Sequence, residues 1–202
     1  MQADSPPLIL ASGSTARRAV LAGAGLRFTV RPSDVDEAAL KSAARSEGLS
    51  AAGTAMRLAN AKAARVAREE PQALVIGADQ ILECDGVWYD KPPDLAAARR
   101  QLLALRGRPH VLATAVVCRR GENLLWQHAA SPRLTMRSFS DQFLDAYLAT
   151  EAESVLASVG AYRLEGPGVQ LFSSVEGDHA TVLGLPLLPL LTFLREAGVL
   201  PA

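Results

Sequence analysis

A short apolar run, Leu8-Ile9-Leu10-Ala11, passes through Ser12-Gly13-Ser14 directly into Thr15-Ala16-Arg17-Arg18, which opens a helix. An apolar run of this kind has to be buried in a sheet, and a helix that starts three small residues later has to lie back across that sheet. The tract therefore reads as the first unit of an α/β fold. Its arginines stand at the end of the helix that already carries partial positive charge. Each costs about 0.3–1 kcal/mol there unless an anion lies close by. Unpaired backbone N–H groups, the Ser12 and Ser14 hydroxyls and the Arg17 and Arg18 guanidinium forks together suit a polyphosphate. A solvent-facing arginine pair on an ordinary strand-to-helix turn is the alternative.

The rest of the chain alternates in the same way. Thr15 to Gly23 is expected to be a helix stopped by Gly23 and Gly25, and Phe28 to Val30 a short strand, followed by the acidic loop Ser33-Asp34-Val35-Asp36-Glu37. Residues 38–53, rich in alanine and serine, show no clear period and read as a mobile helix or lid. A long helix over residues 54–69 follows from its strong helix formers and from Pro71. Residues 73–78 form a buried-type strand expected to end at Asp79, and Asp85-Gly86 marks a hairpin turn. Residues 94–105 read as a capped helix. Val111–Arg119 and Leu124–Gln127 read as a second hairpin. A helix capped by Ser140 runs to Leu148, Val169–Ser174 is a strand, and a last helix spans Leu187–Ala197. No repeat or low-complexity linker divides the 202 residues, so a single domain over 1–202 with a mixed, twisted α/β sheet and flanking helices is expected.

Hydrophobic residues make up 49% of the chain, enough to fill a core. The 21 acidic and 21 basic side chains cancel, so no global field draws in nucleic acid or an anionic membrane, and any anion chemistry has to be local. Cys84 and Cys118 lack metal-ligand spacing and read as reduced, buried thiols. The N-terminus carries no basic leader and no long apolar run, and the apolar segment 182–194 is broken by Pro186 and Pro189. Together these point to a cytoplasmic protein without a membrane span.

Several polar residues sit where apolar ones would be expected. Lys62 shares a helical stripe with Leu58 and Val66, and burying its ammonium without a partner would be expensive; snorkelling from the edge of the core is the alternative. Asp79 follows a hydrophobic strand, where open α/β sheets place ligand chemistry, or it simply caps a turn. Lys91 precedes Pro92 and is held in extended backbone, where an ordinary surface lysine is the alternative. Asp34, Asp36 and Glu37 offer several oxygens, enough to share a Mg²⁺ with substrate phosphates, although taken alone they read as a solvated acidic loop. Read together, these groups are the parts that hold a triphosphate with a divalent ion and position a water. GxxxxGK[ST], GxGxxG, GxSxG and HExxH signatures are absent from the sequence.

The segments LASGSTARR (10–18), PSDVDE (32–37), LANAKA (58–63), IGADQ (76–80), LRGRPH (105–110), GAYRLEGPG (160–168) and EGDHATVLGLPL (176–187), with DG at 85–86 and DKP at 90–92, resemble the Maf family of nucleoside triphosphate pyrophosphatases over nearly the full length. The resemblance implies two lobes around a nucleotide cleft and a cytoplasmic enzyme, a homodimer, that splits the α–β phosphoanhydride with Mg²⁺ or Mn²⁺. It also implies Asp79 as general base and metal ligand, with Glu37 helping to hold the metal. Ser12, Arg17, Lys62 and Lys91 would act on the phosphates, with Ser14 and Arg18 as weaker candidates. Gln80 and Glu165 resemble the branch acting on 7-methyl-GTP. A carboxylate at 165 suits a cationic purine, since it accepts from a guanine edge and attracts its charge. Glu165 as a plain surface acid is the alternative, as are a dTTP, UTP or broader house-cleaning hydrolase and a non-catalytic nucleotide sensor in cell division. Thr15, Ala16 and Asp90 depart from the family pattern. Asp90 would weaken the hold of Lys91 on phosphate.

Overall fold

The computed structural model describes residues 2–4 and 6–201. Its elements run β1 (Leu8–Leu10), α1 (Thr15–Gly23), β2 (Thr29–Val30), α2 (Glu37–Ser46), α3 (Ala51–Glu69), β3 (Leu74–Cys84), β4 (Val87–Tyr89), α4 (Leu95–Leu105), β5 (Pro109–Arg120), β6 (Asn123–Ala130), β7 (Arg133–Met136), α5 (Asp141–Glu151), β8 (Phe172–Glu176), α6 (His179–Val182) and α7 (Leu187–Glu196). Short 3-10 segments fill the stretch between α5 and β8. The strands form one mixed sheet in the order β2-β1-β3-β5-β7-β8, with β4 added to β3 and β6 to β5. Strands β1, β2 and β3 are parallel, while the pairings of β4, β6, β7 and β8 are antiparallel. The expected mixed α/β sheet with flanking helices is the one observed.

The chain divides into two compact units, Met1–Gln80 with Ala113–Ala130 and Asp178–Ala202, and Ile81–Leu112 with Ser131–Gly177. In the first unit, Leu8, Ile9 and Leu10 lie opposite Leu74, Val75 and Ile76. Side chains alternate across a strand, so the even residues share one face. Leu8, Leu10, Leu74, Ile76 and Ala78 pack there with Leu21 of α1 and Leu190, Phe193 and Leu194 of α7. Each large side chain fully buried in this way contributes about 1.5–3 kcal/mol. The odd face belongs to α3. A Cβ on Gly77 would stand 2.3 Å from the Ala59 carbonyl and 2.8 Å from the Ala63 Cβ, so helix and strand meet with no side chain between them.

In the second unit, β3 and β4 are joined by Asp85-Gly86, both at positive φ (50° and 79°), the backbone that an Asp-Gly hairpin turn requires. Asp94 and Ser140 cap α4 and α5, accepting from the N–H groups of Ala97 and Phe143 at 2.6 and 3.1 Å. Strand β7 lies between β5 and β8. His110 is buried here against the Tyr162 and Phe172 rings, with its Nε2 2.8 Å from the Tyr162 hydroxyl.

Some elements depart from their sequence reading. Strand β3 does not end at Asp79 but runs five residues further to Cys84, so Asp79 is an interior strand residue. Its backbone groups are taken by the sheet, and its side chain is delivered to a face rather than to a loop. The stretch 38–53, read as a mobile helix or lid, is helical for most of its length: it holds α2, a short turn and the start of α3. Asp36 caps α2, its carboxylate accepting from Ala39 N–H at 2.9 Å, and Gly48 at φ 72° follows the end of that helix. The strand placed at 169–174 begins at Phe172, after a 3-10 turn over Pro167–Leu171. Strand β7 went unread because four residues give too little alternation to detect, and its pairing partners are distant in sequence.

Candidate active site

The turn after β1 builds the first part of the site. Ser14 caps α1, its Oγ accepting from Arg17 N–H at 3.3 Å, while Ser12 Oγ accepts from Ser14 N–H at 3.3 Å and from Arg17 Nη1 at 3.2 Å. Arg17 Nε donates to the Gly184 carbonyl at 2.8 Å. A Cβ at Gly184 would come within 3.1 Å of that same Nε, so glycine gives the guanidinium its seat. Burial pulls the Arg17 pKa below the usual arginine value, and the charges of Asp79 and Glu37 oppose that pull. A guanidinium keeps its charge under these conditions, so this is a fixed cation over a helix N-terminus. Arg18 is exposed on the same turn.

The second part comes from α3 and β3. Lys62 Nζ lies 2.6 Å from Asp79 Oδ1 and 2.8 Å from Glu37 Oε1. The Lys62 and Asp79 side chains are only 9% and 7% exposed, against 47% for Glu37. Lys62 therefore does not snorkel out; it is a buried ammonium neutralised by two carboxylates. Removing one member of such a pair typically costs about 3–5 kcal/mol. The bare contact at Gly77 makes the pairing possible: Ala59, Lys62 and Ala63 share one face of α3, and Gly77 and Asp79 share one face of β3. Further out, Arg65 of α3 donates through Nε to Asp34 Oδ1 at 2.8 Å and ties down the chain just ahead of Glu37.

Asp79 Oδ2 is buried with no hydrogen-bond partner within the protein. A buried carboxylate oxygen without a donor costs free energy, so it marks a place where something else binds. Among the described residues no group of three or more His, Cys, Asp or Glu side chains forms a complete metal site. The two carboxylates at Lys62 fit Mg²⁺ or Mn²⁺ better than a closed protein cage would, because such ions take one or two carboxylates and fill their shell with water and phosphate oxygens.

Gln80 follows Asp79 but points to the other face of β3. Its Nε2 donates to Thr114 Oγ1 at 2.8 Å and to the Thr181 and Val182 carbonyls at 3.2 and 3.1 Å. Its amide nitrogen is thus committed to tying β3 to β5 and α6. Ser12, Ser14, Arg17, Arg18, Glu37, Lys62, Asp79 and Gln80 all belong to the first unit, and Lys91 and Glu165 to the second. Lys91 is exposed on the extended segment after β4, next to buried Pro92. Glu165 Oε1 lies 3.4 Å from Arg163 Nε, and Arg163 Nη1 lies 3.4 Å from Oε2 of buried Glu151. The roles of Gly77, Gly184, Glu151 and Arg163 escaped sequence reasoning, although all but Glu151 lie inside or beside the motifs quoted above. Nothing in a lone glycine or arginine states which distant atom will approach it.

A buried lysine between two acids, beside a serine-capped helix carrying a fixed guanidinium, forms the charged centre of this α/β protein. The family model described as Maf-like protein matches residues 7–197. The chain belongs to the Maf family. It is 55% identical over 189 residues, 94% of this chain and 96% of the relative, to a protein of Granulibacter bethesdensis named nucleoside triphosphate pyrophosphatase. A Gluconobacter oxydans protein of the same name is 54% identical over the full length of both chains. One from Rhizobium meliloti named 7-methyl-GTP pyrophosphatase is 48% identical, covering 98% of this chain and 99% of its own.

Proposed function

We propose that this protein hydrolyses nucleoside triphosphates to the monophosphate and pyrophosphate, with 7-methyl-GTP preferred. The observation that carries the reading is the Glu37–Lys62–Asp79 cluster with the orphaned Asp79 Oδ2. Water adds across the α–β anhydride: its oxygen joins phosphorus, the anhydride bond breaks, and the bond pair leaves with pyrophosphate. The Asp79 carboxylate orients that water and takes its proton. Ser12, Arg17 and the N–H groups that open α1 bind phosphate oxygens, helped by Ser14 and Arg18. Lys62 and Lys91 offset charge growing on the leaving group. Glu37 and Asp79 would hold the divalent cation, which would supply Lewis-acid polarisation of the phosphates.

The names of the Granulibacter and Gluconobacter relatives support the reaction, and that of the Rhizobium relative supports the methylated substrate. Glu165 is the group assigned to the cationic base, and Gln80 is assigned to base choice with it. Two reduced cysteines, both buried, suit the cytoplasm. Among the described residues no helix is long and apolar enough to cross a membrane. A homodimer is the proposed assembly, and sedimentation equilibrium checks it. The deciding experiment is pyrophosphate release from 7-methyl-GTP, GTP, dTTP and UTP with Mg²⁺. The highest kcat/KM on 7-methyl-GTP is expected. Preference for dTTP or UTP would move the chain to the pyrimidine branch, and tight binding with no product would make it a sensor.

A further inference from the structure

Lys62 does more in this geometry than neutralise a base. Its single Nζ contacts one oxygen of Glu37 and one of Asp79, the two carboxylates assigned above to the divalent cation. The ammonium and the cation therefore compete for the same oxygens. A free divalent ion entering alone would have to push a buried positive charge off the two acids that form its ion pairs among the described residues. A triphosphate changes the balance, because its oxygens accept the displaced ammonium at the moment the cation arrives. The rotation needs only the flexible four-carbon stem, since the contact of Gly77 with Ala59 and Ala63 pins the helix itself. Asp79 Oδ2, buried and unpartnered, offers the incoming cation a first ligand before any Lys62 contact breaks.

We propose that Lys62 is an internal stand-in for the metal, holding Glu37 and Asp79 together until the cation enters already chelated by the nucleotide, and then passing to the phosphates. Metal–nucleotide chelate is then the form the site accepts, and free metal is kept out. This rests on the metal assignment above and extends it to the order of binding.

The test titrates Mn²⁺ into metal-free protein and reads free Mn²⁺ by electron paramagnetic resonance. Wild type binds Mn²⁺ alone weakly and at least tenfold tighter with an α,β-methylene triphosphate analogue. Lys62→Met and Lys62→Gln, both uncharged at the tip, bind Mn²⁺ alone at least tenfold tighter than wild type, and adding Asp79→Asn removes that gain. Should the variants fail to fold, ¹⁵N-lysine spectra of wild type decide. The Lys62 ammonium resonance stays put with Mg²⁺ alone and shifts when analogue and Mg²⁺ are added together. Variants that bind Mn²⁺ no tighter than wild type, or an ammonium that shifts with Mg²⁺ alone, overturn the stand-in role while leaving the metal site intact. No Mn²⁺ uptake by any form, even with the analogue, overturns the metal assignment and the stand-in together.

Discussion

Asp79 holds two unequal oxygens, one bonded to Lys62 and one without a donor, and that asymmetry sets what each substitution does. Asp79→Asn keeps the shape of the side chain but removes its charge and its proton acceptor. Turnover is expected to fall by roughly 10²–10⁴, the range for losing a positioned general base, while nucleotide binding changes little. Binding by calorimetry beside kcat separates the two effects, and a variant with near wild-type kcat would rule Asp79 out as the base. At Glu165 the charge balance matters instead: Glu151 and Glu165 share one guanidinium, Arg163, which leaves one negative charge over. Glu165→Gln removes that surplus. The kcat/KM ratio of 7-methyl-GTP to GTP is expected to fall about fivefold, equivalent to about 1 kcal/mol of charge attraction at a partly exposed position. An unchanged ratio would make Glu165 a surface acid.

At the level of elements, the site depends on how closely α3 approaches β3. The small residues Ala59 and Ala63 on the helix and Gly77 on the strand let the two backbones touch, and Lys62 is carried into reach of Asp79 as a result. Gly77→Ala inserts a methyl where no space exists, an overpacking that costs about 1–3 kcal/mol and lowers Tm by roughly 2–12 °C for a chain of this size. Because the helix is forced outward, activity should fall much more than stability does. Calorimetry paired with kinetics checks this, and a Gly77→Ala protein with full turnover would show that the close contact does not position Lys62. The sequence marked α3 as a strong helix and marked the oddity of a lysine on its apolar stripe. It did not show that β3 continues past Asp79, because a strand buried on both faces gives no alternation from which to read its end.

For the molecule as a whole, stability toward acid is expected to follow His110. Burial pushes its pKa down from 6.5 to about 4, so it is uncharged when folded at neutral pH. The unfolded chain binds the proton first, so stability is lost as pH falls below about 6.5, and the loss levels off near 4. The penalty reaches roughly 3 kcal/mol. His110→Phe should flatten that part of the stability profile in urea melts at pH 7, 6 and 5, and an equally steep fall in the variant would place the acid sensitivity elsewhere. Local patterns in the chain were enough for the α/β class, the capped helices that begin at Asp94 and Ser140, the Asp85-Gly86 hairpin and the choice of Ser12, Arg17, Glu37, Lys62 and Asp79 as candidates. Capping, turn chemistry and periodicity involve neighbours within a few positions, and a sequence records these directly. Tertiary structure alone decided that Lys62 sits between Glu37 and Asp79, that Gln80 turns to the opposite face to tie strands together, and that Arg163 links Glu151 to Glu165. Those outcomes depend on which distant backbones can approach without a side chain in the way and on where buried charges find partners, and neither is encoded at any one position.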